Sequence, residues 1–226
     1  MIGIYYFSAA GHSKAAAEFF SKNLHALARE IGSKTVTEED TAVIVFPVYC
    51  QNIPEPVKAF LPNVRAKYVA LIATYGQMGC GNVLWEATKL VKGQVIAGAY
   101  VPTGHTYLSE GAQTDYTPLQ PVLERIQSPR PVTIPKKSKW WLADFLPDLR
   151  SRISVKIQKT HRCTQCGLCN RVCPMGAMEM GSPGKGCIRC LRCVTQCPQK
   201  ALEVSYHPLL KSYLRKKRQT DWILYM

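Results

Sequence analysis

The chain has no apolar run close to the roughly 20 residues that a membrane span requires. Its opening, Met1-Ile2-Gly3-Ile4-Tyr5-Tyr6, lacks the basic, apolar and small-residue pattern of a secretory leader. No transmembrane segment and a cytoplasmic location are therefore expected. There is no G-x-G-x-x-G, and no G-x-x-x-x-G-K followed by Ser or Thr, so neither common nucleotide-binding fingerprint is present. Recognised nucleic-acid motifs are missing too, and no nucleic-acid partner is expected. Acid is also scarce: 15 Asp and Glu stand against 29 Lys and Arg in 226 residues, a net charge of +14.

That imbalance is confined to one end. Residues 1–128 carry 10 basic and 10 acidic side chains, whereas residues 129–226 carry 19 and 5. The ten cysteines divide the same way, with only Cys50 and Cys80 in the first part. Two compositions in one chain imply two domains. The expected boundaries are a domain at 1–128, a basic, proline-containing linker at 129–159, a cysteine-rich domain at 160–206 and a basic, aromatic tail at 207–226.

Cys163, Cys166, Cys169 and Cys173-Pro174 read C-x-x-C-x-x-C-x-x-x-C-P, and Cys187, Cys190, Cys193 and Cys197-Pro198 repeat the pattern 24 residues later. Ala177-Met178-Glu179 matches Ala201-Leu202-Glu203 at the same offset, so the repeat is an internal duplication. Three thiolates two residues apart can wrap one face of a cubane cluster, and proline after the fourth turns the chain away. Disulfides are disfavoured in a reducing compartment. Zinc sites usually use two separated pairs, not three tandem cysteines followed by C-P. Residues 160–206 resemble the bacterial two-cluster ferredoxins. The resemblance implies two 4Fe-4S clusters with crossed ligation. Cys163, Cys166, Cys169 and Cys197 would hold one cluster, and Cys187, Cys190, Cys193 and Cys173 the other.

The first part alternates strand and helix signals. Ile2–Phe7 is a continuous apolar run, as in a strand buried on both faces. Ala15–Arg29 spaces Ala16, Phe19, Phe20, Leu24 and Leu27 along one helical face. Further strands are expected at 42–46, 68–74 and 94–101, with a short edge strand at 35–37. Helices are expected at 55–61, 82–92 and 117–126. The alternation predicts an α/β domain with a parallel sheet covered by helices on both faces.

The loop Ser8-Ala9-Ala10-Gly11-His12-Ser13-Lys14 joins the first strand to the first helix, where helix N–H groups favour an anion. Tyr5 through Lys14 resembles the phosphate loop of flavodoxins. Pro47-Val48-Tyr49 and Thr74-Tyr75-Gly76 resemble their second and third flavin loops, both just after expected strands. The whole order is similar to the fused flavodoxin–ferredoxin proteins: a flavodoxin-like parallel-sheet domain followed by a small α+β two-cluster ferredoxin domain. The resemblance implies FMN. Ser8, Ala9, Ala10, Gly11, His12 and Ser13 would surround its phosphate, and the loops around Tyr49 and Tyr75 would flank its ring. The chain departs from the family at Ala10, where threonine is usual, and at His12, where asparagine is common.

Cys50 and Cys80 are expected to be small buried side chains, and His105 and His161 structural or solvated. Tyr49 and Tyr75 read equally as ring contacts or core residues. Eight thiolates and two 2+ cores would leave a net charge of about +10. Such a surface suits a redox partner with an acidic docking face. Trp140, Trp141 and the apolar end Trp222–Met226 are candidate anchors for that partner or for peripheral contact with an anionic membrane. The expected function is electron relay between clusters, FMN and a partner protein, with any enzymatic activity being oxidoreduction. The alternatives are a flavin-dependent reductase of a small acceptor, or a flavin-free ferredoxin whose flavodoxin fold serves docking.

Overall fold

Four apolar runs of the first part become parallel strands because each is flanked by helices that cover both faces of a sheet. The computed structural model describes residues 1–32, 37–108, 114–139, 141–145, 147–216 and 218–226. It divides into two units, residues 1–141 with 218–226, and residues 142–217.

In the first unit, strand β1 (Ile2–Tyr6) leads to helix α1 (His12–Leu24), β2 (Ala28–Glu30) and β3 (Thr37–Pro47). Helix α2 (Glu55–Phe60), β4 (Val64–Tyr75), α3 (Val83–Thr88), β5 (Gln94–Pro102) and α4 (Gln120–Gln127) follow. The parallel order is β5-β4-β3-β1-β2. This is the flavodoxin-like order, in which strand succession reverses beside β1 and leaves a crevice at the carboxyl edge between β1 and β3. Val69–Ala73 of β4 and Val43–Phe46 of β3 are completely buried, consistent with the continuous apolar runs. One core cluster gathers Ala16, Phe20, Val43, Ile72, Val122 and Ile126 between the sheet and helices α1 and α4.

Two local expectations give way to non-local pairing. Helix α1 stops at Leu24 because His25 turns left-handed (φ 50°), not at Arg29. Residues 28–30 instead pair with Ile4–Tyr6 as the outer strand, and Leu27 is 79% exposed rather than core-facing. Backbone hydrogen bonds offered by the edge of β1 outweigh a few residues of helix propensity. Most of the edge strand expected at 35–37 lies outside the described residues, and Thr37 begins β3.

The segment expected as a linker is packed along its first part. Val132 N–H donates to the Val95 carbonyl (2.9 Å). Ile134 is 5% exposed and lies over Gly98, where an added Cβ would come within 2.5 Å of Ile134 Cδ1. Lys137 and Asn82 exchange two hydrogen bonds between side-chain amide and backbone.

The second unit starts with α5 (Pro147–Ser154) and β6 (Val155–Lys159), both inside the stretch expected as linker. Then come α6 (Leu168–Arg171), the strands β7 (Met178–Glu179) and β8 (Ser182–Pro183), α7 (Arg192–Thr195), β9 (Leu202–Tyr206) and α8 (Pro208–Leu214). Strand β6 pairs antiparallel with β9, Val155 opposite Tyr206 and Lys159 opposite Leu202. The partner strand makes the start of this unit earlier than the cysteine pattern alone suggests. The final strand, β10 (Ile223–Tyr225), returns to the first unit and pairs antiparallel with β5. Residues 223–225, expected as part of a free tail, are therefore the sixth strand of the main sheet.

Candidate functional site

The sequence duplication is also a duplication of backbone. Positive φ angles recur at Gln165 and Arg189, at Gly167 and Leu191, and at Gly176 and Lys200, each pair 24 residues apart. Leu191 takes at φ 62° the conformation that glycine provides at Gly167, a left-handed turn that costs a branched residue about 1 kcal/mol. Each repeat then forms a one-turn helix, α6 or α7. The residue four beyond the last cysteine turns its N–H back on that sulfur, Ala177 on Cys173 Sγ (3.2 Å) and Ala201 on Cys197 Sγ (3.4 Å).

These turns bring cysteines from both repeats together. Cys163, Cys166 and Cys169 line one pocket with Cys197, which comes from the other repeat. The pocket encloses about 370 Å³ of free space, part of it open to solvent. Of the other four cysteines, Cys187 and Cys193 are buried and Cys173 and Cys190 half-buried. Burial pushes the Cys190 thiol up to about 11, and Cys187 and Cys173 act on it electrostatically. Burial likewise pushes Cys193 up to about 12, with Cys190, Cys187, Cys173 and Cys169 adding to the effect. Among the described residues, no three His, Cys, Asp or Glu side chains converge as a single metal ion would need. Four cysteines around a pocket fit a polynuclear group, with the Ala201 N–H already aimed at one of them, Cys197.

The second region is the carboxyl edge of the sheet. Gly11 precedes α1 with φ 93°, nothing lies within 4 Å of where its Cβ would be, and no side chain caps the helix. The first-turn N–H groups of a 13-residue helix therefore face an open loop. The loop hydroxyls are less available. Ser8 Oγ accepts the Gly11 N–H (3.1 Å), and Ser13, 1% exposed, shares a 2.7 Å hydrogen bond with Thr74 Oγ1. Ala9 is buried and Ala10 half-buried, so the loop presents backbone more than side chain. Burial lowers the pKa of His12 below the usual imidazole value, which favours the neutral ring. These residues fit a phosphate held mainly by backbone.

Pro47 and Val48 leave β3 half-buried, and Tyr49 meets Asn52 in a two-residue turn whose centre, Cys50 and Gln51, has φ 50° and 63°. Tyr49 is half-buried, with its ring edge-on to Phe7 at 6.4 Å. Cys50 is exposed at the turn tip rather than buried, while Cys80 is half-buried. Lys139 Nζ joins Asn52 Oδ1 and Glu86 Oε1, both at 2.7 Å, and so fastens this turn to α3.

Tyr75 is a core residue: it is 2% exposed, stands edge-on to Tyr100, and donates its hydroxyl to the Asp221 carbonyl (2.7 Å). It does not present its ring to the loop edge; Thr74, at 2% exposed, is also interior. Gly76 is close-packed, since a Cβ there would sit 2.6 Å from the His105 ring. Thr103, Asp221 and Gln77 support the third loop, and sequence reading passed over all three. Thr103 N–H donates to the Tyr75 carbonyl (2.9 Å), and Gln219 N–H donates to the Gln77 carbonyl (2.7 Å). Only Gly76 gave a signal, because a glycine after a strand marks a close approach.

His105 packs against Gly76 and the Tyr107 ring, and its burial has a consequence. Burial, aided by the Arg218 charge, pushes its pKa down to about 4. The unfolded chain takes up this proton near pH 6.5 and the folded chain only near 4, so between them the unfolded state binds more protons. Stability therefore falls as pH falls, by about 1.4 kcal/mol per pH unit. Urea unfolding of this unit is expected to lose about 1 kcal/mol between pH 7.0 and 5.5 from this residue, and His105→Gln should remove that part of the pH dependence. An unchanged pH profile in the variant would assign the loss elsewhere.

Fold and site together define an α/β domain of flavodoxin-like topology followed by an iron–sulfur segment. A family profile described as "4Fe-4S binding domain" matches residues 159–179. No match was found among curated proteins. Solved structures that resemble the chain include a protein assigned as a flavoprotein from Bacteroides uniformis ATCC 8492, at 18% identity and a TM-score of 0.37, covering 46% of this chain and 91% of that one. Another, from Bacteroides eggerthii DSM 20697, has 17% identity and a TM-score of 0.38, covering 56% and 97%. The strand order β5-β4-β3-β1-β2 is by itself that of the flavodoxin-like fold. Among the described residues, no helix is long and apolar enough to cross a membrane.

Proposed function

We propose that the protein relays single electrons through two 4Fe-4S clusters, exchanging them with FMN in the flavodoxin-like domain and with a partner redox protein. Cys163, Cys166, Cys169 and Cys197 would hold one cluster, and Cys187, Cys190, Cys193 and Cys173 the other. The observation that carries this reading is the single pocket lined by Cys163, Cys166, Cys169 and the distant Cys197. Crossed ligation keeps two clusters close, which favours hopping between them. The clusters supply one-electron chemistry and FMN one- or two-electron chemistry. The protein residues hold, orient and shield these groups.

For FMN, the phosphate would lie at the N-terminus of α1, over Ser8, Ala9, Ala10, Gly11, His12 and Ser13. The ring would lie between the turn at Pro47, Val48 and Tyr49 and the loop at Thr74, Tyr75 and Gly76, with Tyr75 a support beneath it. Residues 142–217 hold 14 basic and 4 acidic side chains, so the partner would approach with an acidic face. The setting would be cytoplasmic.

One observation favours a second reading, in which the flavodoxin fold carries no flavin. Ser13 is committed to Thr74, and Ala10 supplies no hydroxyl. Cofactor content of anaerobically purified protein decides: about eight irons and eight sulfides with one FMN in the acid extract is expected. Eight irons without flavin, even after incubation with FMN, would favour the second reading.

A further inference from the structure

Helix α5 is reversed relative to an ordinary surface helix, which turns its apolar side chains toward the core. Leu149 and Ile153, one turn apart, are 46% and 58% exposed. Arg150, Ser151, Arg152 and Ser154, between and beside them, are half-buried. Phe145, just before the helix, is exposed as well. Helix α8 adds Leu209 and Tyr213 at the same one-turn spacing, both exposed, while Leu214 is buried. The His207 N–H donates to the Ser154 carbonyl (2.9 Å), so α5 ends where α8 begins. Among the described residues, the exposed large apolar side chains outside this group are Met1, Leu27 and Met180. Apolar exposure gathered in one region marks a surface for association, where scattered single side chains do not.

The charge around these side chains has one sign. Arg150, Arg152 and Lys211 stand in the two helices against one acid, Asp148. Arg215 and Lys216 follow α8, both exposed, with Lys216 Nζ 5.7 Å from the centre of the Tyr213 ring. Helix α5 is also tied to a cysteine loop. Arg152 Nε donates to the Cys187 carbonyl (3.3 Å), and Arg189 Nε donates to the carbonyl of Val155, the residue after the helix (2.9 Å). A protein seated on α5 therefore stands beside the loop 187–190.

We propose that the outward faces of α5 and α8 dock an acidic redox protein, and that electrons cross there to or from the cluster held by Cys187, Cys190, Cys193 and Cys173. This assigns the partner surface of the relay described above and rests on that reading. The apolar side chains form the close-packed centre of the contact, and the basic rim orients an acidic partner and speeds encounter. A second copy of the chain is a poor occupant, because it brings a net charge of +14 of the same sign. An anionic lipid surface matches the charge but offers no one-electron donor or acceptor beside the cysteine loop. The step moves one electron between the partner and the cluster, with no bond made or broken and no proton transferred.

The test uses the full chain purified without oxygen, with iron and sulfide assayed, and a reduced plant-type 2Fe-2S ferredoxin as the acidic one-electron carrier. Rapid-freeze electron paramagnetic resonance distinguishes the two kinds of cluster and reads the rate of exchange. The rate is expected to saturate with ferredoxin and to fall as salt rises. Leu149→Ser with Ile153→Ser should raise the half-saturating concentration about tenfold or more, and Lys211→Glu with Arg215→Glu should raise it too. Dithionite should reduce both variants as fast as the unaltered chain, which separates lost docking from a damaged cluster. The replaced side chains are exposed, so the iron content should hold. Exchange that does not saturate, or that is unchanged in a Leu149/Ile153 variant retaining its iron, overturns the proposal. If that variant loses iron, the Lys211/Arg215 variant decides in the same way. Dimers of the unaltered chain that the Leu149/Ile153 variant dissolves, with exchange unaltered, assign the face to a second copy and overturn it. Binding to phosphatidylglycerol vesicles that this variant loses, again with exchange unaltered, assigns the face to lipid and overturns it equally. Absence of iron and sulfide from the unaltered protein would remove the relay reading itself, and this inference with it.

Discussion

Replacing Cys163 and Cys197 together is expected to leave about four irons per chain, no fewer than replacing either alone, whereas replacing Cys187 and Cys197 together should leave almost none. The two cysteines of the first pair line one pocket although they are 34 residues apart and belong to different repeats. If both serve one cluster, removing the second costs nothing once the first is gone. Cys187 and Cys197 share a repeat but would serve different clusters, so their losses should add. Ligation confined within each repeat predicts the reverse pattern, with four irons kept by the Cys187–Cys197 pair and none by the Cys163–Cys197 pair. Iron and acid-labile sulfide in the alanine variants, purified without oxygen, separate the two. The comparison does not require a partner, a substrate or the flavin. A uniform loss of all iron in every variant would contradict both patterns and show that the clusters hold the unit together cooperatively.

What the sequence displays best is chemistry with rigid spacing. The C-x-x-C-x-x-C-x-x-x-C-P pattern recurs with the same succession of loop, one-turn helix and strand in both repeats. Positive φ angles recur at Gln165 and Arg189, and Leu191 adds a third, although glutamine, arginine and leucine give no local sign of a left-handed turn. Buried parallel strands were legible for a different reason. A strand covered on both faces must be apolar throughout, and 68–74 and 94–101 are nearly so.

Pairing at a distance left little trace. Nothing in Ala28-Arg29-Glu30 indicates a strand, because what stabilises it is the hydrogen-bonding edge of β1. Nothing in Val155–Lys159 indicates its partner at Leu202–Tyr206. The site shows the same division. Gly11 could be read from its position between strand and helix, whereas the commitment of Ser13 to Thr74 requires knowing that β4 lies beside the loop. Tyr75 was ambiguous in sequence, since a tyrosine ending a strand can face solvent, ligand or core. Its side was decided by an acceptor 146 residues away, the Asp221 carbonyl.

Ending the chain after Lys217 is expected to destabilise the flavodoxin-like unit by about 3–5 kcal/mol, summing three partly buried apolar side chains and a lost buried hydrogen bond. The segment removed is short, but it closes the sheet. Ile223, Leu224 and Tyr225 pair with Tyr100, Ala99 and Gly98 of β5. Alternation along the strand puts Trp222, Leu224 and Met226 against the main core, so this apolar end is occupied within its own unit rather than offered as an anchor. Removal also strips Tyr75 of its acceptor. Burial holds that hydroxyl up to about 12, so it cannot ionise and would be left in the interior without the Asp221 carbonyl. The Gln219–Gln77 hydrogen bond goes with it, and both losses fall on the third candidate flavin loop. Against a domain stability of about 5–15 kcal/mol, the truncated protein should unfold at much lower urea and bind FMN more weakly, while its iron content stays unchanged. Trp222→Ala alone should cost about 2 kcal/mol. If truncation shifts the urea midpoint by less than the equivalent of 1 kcal/mol, the terminal strand contributes no stability to the sheet, and the apolar end becomes available for docking after all.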